Sequence, residues 1–179
     1  MTLAASRPRR GARGMTLIEI LVVVVIIGIL AAIATISVGV LGEDRELERE
    51  TERLTDSIAL LQEQAQLEGR DYGLRIETDR YEFLRFDGFA QRWQPIEGDS
   101  WLQPRELPPG LAFELFIEGR PVLLRRPTQV EARLPQLIAQ GSGDMTPYRL
   151  ALARPDARRR VTLIGGADGT IEVERNAAD

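Results

Sequence analysis

The side chains that carry out most protein chemistry are missing from this chain of 179 residues. It contains no cysteine and no histidine, and every one of its 23 basic residues is an arginine. Without histidine and cysteine there is no usual base near neutral pH, no thiolate nucleophile and no common zinc ligand. Without lysine there is neither a Schiff-base former nor the lysine of a phosphate-binding loop. The composition therefore predicts a protein that is not an enzyme and that needs no cofactor.

One carboxylate has unusual surroundings. Glu19 precedes a long apolar run, because no residue from Ile20 to Gly42 is charged. A carboxylate in hydrocarbon costs about 2.5–3.5 kcal/mol, and acids in such places usually pair with a positive group. Position alone leaves two interpretations open. Glu19 is either solvated at a membrane surface or neutralised by a positive charge.

The elements around Glu19 indicate a segment that enters a membrane. The apolar run has about 23 residues and would form a helix of about 35 Å, enough to cross a bilayer core. The arginines that precede it place the amino terminus in the cytoplasm and the rest outside, in the periplasm of a Gram-negative cell. Three alternatives fit: a secretory signal peptide cut near Ala32-Ile33-Ala34, an uncut single-pass anchor, or a segment cut after Gly14.

The residues from Gly14 to Glu19 resemble a known processing signal. Gly14-Met15-Thr16-Leu17-Ile18-Glu19, between a basic leader and an apolar run, is similar to the class III signal of the type IV pilin superfamily. The resemblance implies that a prepilin peptidase cuts between Gly14 and Met15 and methylates the new amine of Met15. Family members usually have phenylalanine after the cut, and Met15 departs from that pattern. The resemblance makes Glu19 an assembly residue, whose carboxylate neutralises the buried terminal amine of a neighbouring subunit.

The chain after the apolar run reads as the rest of a helix followed by short strands. Apolar residues recur at helical spacing from Leu47 to Ala65, so one helix is predicted from about Met15 to Glu68, with Gly69 as its stop. Strands with a period of two are predicted at residues 72–77, 81–86, 92–96, 111–117, 120–126, 148–154, 159–165 and 170–175. This is an α+β pattern, a long amino-terminal helix packed on an antiparallel β-sandwich of about eight strands.

These elements predict four parts of the chain. A cleaved leader (residues 1–14) precedes a transmembrane or filament-core helix (15–42). An amphipathic continuation of the helix (43–69) leads into a periplasmic β-rich domain (70–179). The stretch 126–147 is predicted to be irregular and is a candidate partner-binding loop.

Several segments of the last part are similar, in order, to the H-type minor pseudopilins of type II secretion. They are the Trp93-Gln94-Pro95 strand, the Leu107-Pro108-Pro109-Gly110-Leu111 bend, and Ser142-Gly143-Asp144 followed by Thr146-Pro147. The resemblance implies a single-pass inner-membrane subunit that joins a periplasmic pseudopilus near its tip and supports export of folded proteins across the outer membrane. It implies as partners the I, J and K minor pseudopilins, the major G-type pseudopilin, the prepilin peptidase and an inner-membrane assembly platform.

Two other groups of residues give weaker indications of a binding role. Four acids lie in predicted turns and are candidate calcium ligands, but no EF-hand spacing is present. They are Asp79, Asp87, Asp144 and Asp168. Trp93 and Trp101 are expected to be buried against the helix rather than to hold a ligand.

A cluster of arginines supports a different function. Arg154, Arg158, Arg159 and Arg160 are similar in placement to the arginine-rich region of DNA-binding minor pilins of type IV or competence pili. The net charge is −4 although residues 1–14 hold four arginines and no acid, and such an acidic body disfavours nucleic acid. A plain signal-anchored periplasmic domain is the third alternative.

Overall fold

The structure is a computed structural model that describes residues 17–125, 134–155 and 159–177, without the side chains of 31–44 and of Ala177. The chain divides into two compact units, Met1–Gly42 and Glu43–Asp179. The second unit contains all the strands.

A single helix, α1 (Leu17–Glu68), opens the described chain. It ends at Gly69, whose φ of 59° is a left-handed conformation that glycine adopts without strain. The amide of Arg70 then donates to the carbonyl of Ala65 at 3.1 Å, which satisfies one of the carbonyls that a helix end leaves open. The predicted helix and its glycine stop are confirmed.

The described residues that follow contain ten strands, which form two antiparallel sheets of five strands each. The first sheet consists of β1 (Tyr72–Ile76), β2 (Arg80–Asp87), β3 (Arg92–Pro95), β4 (Arg105–Glu106) and β7 (Leu137–Ala139). The second sheet consists of β5 (Ala112–Ile117), β6 (Arg120–Val122), β8 (Tyr148–Ala153), β9 (Arg159–Gly165) and β10 (Ile171–Ala177). The strand order is β3-β2-β1-β7 in the first sheet, where β4 also pairs with β2, and β10-β9-β8-β5-β6 in the second.

The α+β prediction is confirmed, but two strands were missed. β4 has two residues, and β7 lies in the stretch 126–147 that was predicted to be irregular. That prediction is wrong for β7, which pairs with β1 through Leu74 and Leu137. The side chain of Gln136 adds hydrogen bonds to the amide and carbonyl of Ile76, at 2.8 and 3.0 Å. Residues 126–133 lie outside the described chain.

The core of the second unit joins α1 to both sheets. The predicted helix stripe is buried: Leu47, Leu54, Ile58, Leu61 and Ala65. Side chains from the two sheets pack in the same cluster, among them Leu74, Ile76, Tyr81 and Phe83 of the first and Phe113, Leu115, Leu150 and Leu163 of the second. Tyr81 meets Phe113 edge to face across the sheets, with ring centroids 5.9 Å apart. Helix and sheets therefore share one hydrophobic core.

The opposite face of β1 and β2 is also covered, which the alternating pattern did not predict. Arg75 is buried there between two buried acids. Its Nη2 lies 2.6 Å from Oε1 of Glu77, and its Nε lies 2.9 Å from Oε1 of Glu82. We call these three residues the buried triad. Arg80 lies at the edge of the triad, with its Nε 3.9 Å from Glu77.

Candidate functional site

The predicted processing residues, Gly14 and Met15, lie outside the described residues. Glu19 is described, in the first turn of α1, and its side chain is exposed. The role of Glu19 in assembly stays a prediction.

The helix around Glu19 shows apolar side chains on every side. From Leu17 to Leu30 the large apolar residues are all exposed, with 45% of the surface of Ile20 and 87% of that of Leu17 accessible. A helix that is apolar all round is stable only when lipid or other protein covers it. We call residues 17–30 the apolar helix segment, and its chemistry suits association with a membrane or with other helices.

No helical stretch within the described side chains is both long and apolar enough to cross a membrane. The predicted membrane segment, residues 15–42, extends past the described side chains at both of its ends.

Further along α1, Glu50 anchors the helix to the first sheet. It lies three residues after Leu47 on the buried stripe and is only 2% exposed. The hydroxyl of Tyr81 donates to its Oε1 at 3.0 Å, and Nε of Arg105 donates to both carboxylate oxygens at 2.9 and 3.0 Å. Burial raises the pKa of Tyr81, and the negative charge of Glu50 adds to that shift. The hydrogen bonds that Arg105 donates to Glu50 raise the pKa of Arg105.

Sequence reasoning missed Glu50, because its charged neighbours suggested a solvated face. The available signal was its position at the spacing of the apolar stripe, where a lone acid needs a partner. Two nearby acids bind the second sheet from more exposed positions. Glu46 pairs with Arg154 at 2.8 Å, and Glu48 pairs with Arg175 at 3.1 Å.

Replacing Glu50 with alanine is expected to lower the free energy of unfolding by about 2–4 kcal/mol. The change leaves the buried hydroxyl of Tyr81 without its acceptor and removes two charge-assisted hydrogen bonds of Arg105. Urea denaturation of the unit that begins at Glu43, followed by tryptophan fluorescence, measures the loss. Glu48→Ala is the matched control, since its half-exposed pair with Arg175 contributes at most about 1 kcal/mol. Equal losses in the two variants would contradict the anchoring role of Glu50.

Two of the four acids considered as calcium ligands, Asp87 and Asp168, accept hydrogen bonds within their own turns. Asp87 accepts from the amides of Phe89 and Ala90 at 2.9 and 3.0 Å. These bonds, that from Ala90 foremost, lower the pKa of Asp87. Asp168 accepts from Thr170, which lowers the pKa of Asp168. Among the described side chains no three metal-binding groups come together.

The two tryptophans have different environments. Trp101 lies beside α1, with the guanidinium of Arg53 5.4 Å from its ring centroid, but its side chain is 49% exposed, so the predicted burial is wrong. The prediction is also wrong for Trp93. Its ring lies 5.3 Å from that of Phe86, on the face of the first sheet opposite to Phe83. Side chains alternate along β3, so the register of the strand decides on which face of the sheet Trp93 lies. The sequence did not show which of the two faces packs against the helix.

The described arginines of the cluster all have interaction partners. Arg154 is bound to Glu46, and Arg160 lies 3.1 Å from Glu114. Arg159 also has an interaction partner, while Arg158 lies outside the described chain. Cations that are already neutralised have less to offer a phosphate backbone. The geometry therefore gives no support to DNA binding at this cluster.

Comparisons with known proteins agree on the amino-terminal signal and on the fold. The family model "Prokaryotic N-terminal methylation motif" matches residues 9–35, which include Gly14 to Glu19. Type II secretion system protein H of Pseudomonas aeruginosa is 40% identical over 156 residues, covering 83% of this chain and 88% of the relative. Type II secretion system protein H of Aeromonas hydrophila is 29% identical over 154 residues, covering 83% and 84%.

Solved structures show the same architecture. The crystal structure of the minor pseudopilin EpsH from the type II secretion system of Vibrio cholerae matches with a TM-score of 0.60 and 26% identity, covering 75% of this chain and 97% of that one. The solution structure of Escherichia coli GspH matches with a TM-score of 0.53 and 21% identity, covering 74% and 89%.

Proposed function

The chain belongs to the family of type II secretion system protein H, and from that membership we propose that it is a minor pseudopilin of a type II secretion system. The 40% identity over most of both chains carries the proposal. It acts as a structural subunit, without catalytic activity. Its role is to assemble with other pseudopilins into the pseudopilus and so to support the export of folded proteins across the outer membrane.

The proposed maturation follows from the amino-terminal signal. The prepilin peptidase cuts between Gly14 and Met15 in the cytoplasm and methylates the amine of Met15. Residues 15–42 then anchor the subunit in the inner membrane, with the β-rich domain in the periplasm. The match of residues 9–35 to the methylation motif supports this sequence of events over an ordinary signal peptide or an uncut anchor.

The proposed assembly uses the two ends of α1 differently. The apolar helix segment leaves the membrane and packs with the helices of neighbouring subunits, where Glu19 neutralises a terminal amine. The anchor at Glu50 holds the β-rich domain on the same helix. We place the subunit near the tip of the pseudopilus, next to the I, J and K minor pseudopilins and above the major G-type subunit. The inner-membrane assembly platform inserts the subunit into the pseudopilus.

Mass spectrometry of the protein from membranes of a secreting cell tests the proposal. We expect a chain that begins at methylated Met15, and we expect deletion of the gene to abolish release of exoproteins into the medium. A chain that begins at Met1, or after Ala34, would support the anchor or the signal peptide instead. Unchanged secretion in the deletion strain would contradict a role in this pathway.

Replacing Gly14 with valine is expected to block maturation. A branched side chain at the residue before the cut keeps the Gly14–Met15 bond from fitting the active site of the peptidase. The precursor then keeps its 14-residue leader, which a slower gel mobility and an intact mass reveal. Arg13→Ala, one residue earlier, is the control and is expected to be processed. Normal mobility of the valine variant would argue against this cleavage site.

A further inference from the structure

The last strand of the second sheet has an open edge. β10 pairs with β9 over seven residue pairs, and within the described residues no strand pairs with the other side of β10. Other edges of the two sheets are protected, because β3 ends in Pro95, β6 contains Pro121, and β7 is bridged to Met145. β10 has no proline. An edge strand of this length is a template on which a further strand can pair.

The register of β10 shows which of its backbone groups face the open edge. Just before the strand begins, the amide of Gly166 donates to the carbonyl of Thr170 at 2.9 Å. Residue pairs of antiparallel strands alternate between hydrogen-bonded and non-hydrogen-bonded, so every second residue of β10 bonds to β9 and the others do not. The amides and carbonyls of Ile171, Val173 and Arg175 therefore point away from β9, where a further strand would pair.

β10 runs alongside α1 in the opposite direction. Gly169, two residues before β10, lies beside Gln62, and Arg175 pairs with Glu48 at 3.1 Å. The helix rises about 21 Å over the 14 residues from Glu48 to Gln62. A strand rises about 20 Å over the six residues from Gly169 to Arg175. Because these lengths agree, the strand and the helix lie side by side, and a strand added at the open edge would also follow α1.

An acidic cleft of about 390 Å³ lies between the open edge and α1. Its lining consists of Thr51, Glu52, Thr55 and Asp56 of α1 and of Val173 and Arg175 of β10. Arg175 is already paired with Glu48, whereas neither Glu52 nor Asp56 has an ion-pair partner within the described residues. These two exposed carboxylates repel anionic lipid and nucleic acid and favour a basic partner.

We propose that β10 and this cleft bind an extended, basic segment of another protein, which adds a strand to the second sheet. Glu52 and Asp56 lie about 6 Å apart along α1, and residues i and i+2 of a strand are about 6.7 Å apart. Arginine or lysine at two such positions would pair with both carboxylates while the backbone of the segment bonds to the open edge.

A second copy of this chain fits the open edge poorly. Pairing through its own β10 would bring a second α1, with the same unpaired acids, to the cleft, and like charges would face each other. The inference rests on the proposed function only for where the partner is sought, which is among the proteins of the secretion system.

Photo-cross-linking in the full chain tests the added strand. Glu172, an exposed residue of β10 whose side chain alternates with the inward-facing ones, is replaced with p-benzoylphenylalanine in cells that express the whole secretion system. Irradiation is expected to give a product whose cross-linked peptide comes from another protein and carries arginine or lysine at positions i and i+2. A second copy of this chain, a lipid, a peptide without the basic pair, or the absence of a product would overturn the proposal.

Proline at the open edge separates backbone pairing from side-chain contact. V173P removes an amide that points away from β9 and leaves the hydrogen bonds between the two strands intact, so the chain is expected to fold. The yield of the cross-linked product is expected to fall about fivefold or more, because the added strand loses one hydrogen bond and meets the proline ring. V173A keeps the amide and is the matched control, with a yield close to that of the wild type. Equal yields from V173P and V173A would overturn the strand pairing.

Charge reversal tests the recognition of a basic segment at exposed positions, where the fold is not at stake. E52R with D56R is expected to reduce the product about fivefold or more, and glutamates in place of the basic pair of the partner are expected to restore it. E63R, at an exposed position of α1 outside the cleft, is the control and leaves the product unchanged. A product that E52R with D56R does not reduce would overturn the proposal.

Secretion by the same cells, measured before irradiation, separates this inference from the proposed function. A wild-type copy that fails to restore secretion in the deletion strain contradicts the proposed function. A wild-type copy that restores secretion, in cells where no cross-linked product depends on the amide of Val173, contradicts the added strand alone.

Discussion

Replacing Glu19 with alanine is expected to abolish secretion while leaving the subunit processed and membrane-inserted. The peptidase site at Gly14 and the apolar run are unchanged, so maturation and insertion proceed. In the filament, the methylated terminal amine of a neighbouring subunit then has no carboxylate to pair with. A buried charge that loses its partner costs about 3–5 kcal/mol, which lowers the assembly equilibrium more than a hundredfold.

The measurement compares three quantities in one strain: the mass of the subunit, its amount in the inner membrane, and its amount in isolated pseudopili. Only the last, together with release of exoproteins, is expected to fall. Ile18→Ala is the matched control, because Ile18 is an exposed apolar residue of the same turn that leaves the carboxylate in place. Normal secretion by the alanine variant, or an equal defect in both variants, would show that the charge of Glu19 has no part in assembly.

The elements that sequence predicted well are those whose signal is local. The buried row from Leu47 to Ala65 repeats at helical spacing, and Gly69 ends the helix by a conformation that glycine adopts easily. The strands β8 and β10 are six and seven residues long, and their predicted positions follow the period of two in the sequence. The shortest strands carried no such signal. β7 has three residues and forms because β1 offers it a free edge, which is a property of the fold and not of residues 137–139.

The same distinction between local sequence signals and contacts made across the fold applies to the residues of the candidate site. The order of Gly14, Met15 and Glu19 before an apolar run is visible in the sequence, since the signal is a contiguous motif. Glu50 was missed because its partners, Tyr81 and Arg105, are distant in sequence and come together only when the first sheet packs on α1. Contacts of this kind are set by pairing across the fold. The position of Glu50 on the apolar stripe indicates that it is buried, but not which residues it meets.

The buried triad is a contact that the sequence did not predict. Replacing Arg75 with methionine is expected to lower the free energy of unfolding substantially. Methionine fills a similar volume but leaves the carboxylates of Glu77 and Glu82 buried without the guanidinium between them. Breaking such a group by removing one partner costs about 3–5 kcal/mol. The free energy of unfolding of a domain of this size is about 5–15 kcal/mol, so this loss is a large part of it. With a typical dependence on urea, the midpoint of unfolding should fall by about 2 M.

Two further variants separate the loss of charge from the loss of packing. Arg80→Met removes an arginine from the same sheet, but its side chain is a third exposed and its Nε lies 3.9 Å from Glu77, so a loss of at most about 1 kcal/mol is expected. Replacing all three members of the triad with methionine removes the buried charges together and should recover most of the stability, because apolar residues of similar volume often replace such groups without cost. If R75M unfolded at the same urea concentration as the wild type, the triad would contribute nothing to the fold. If the triple variant were no more stable than R75M, the loss would come from packing, and the two carboxylates would not be its cause.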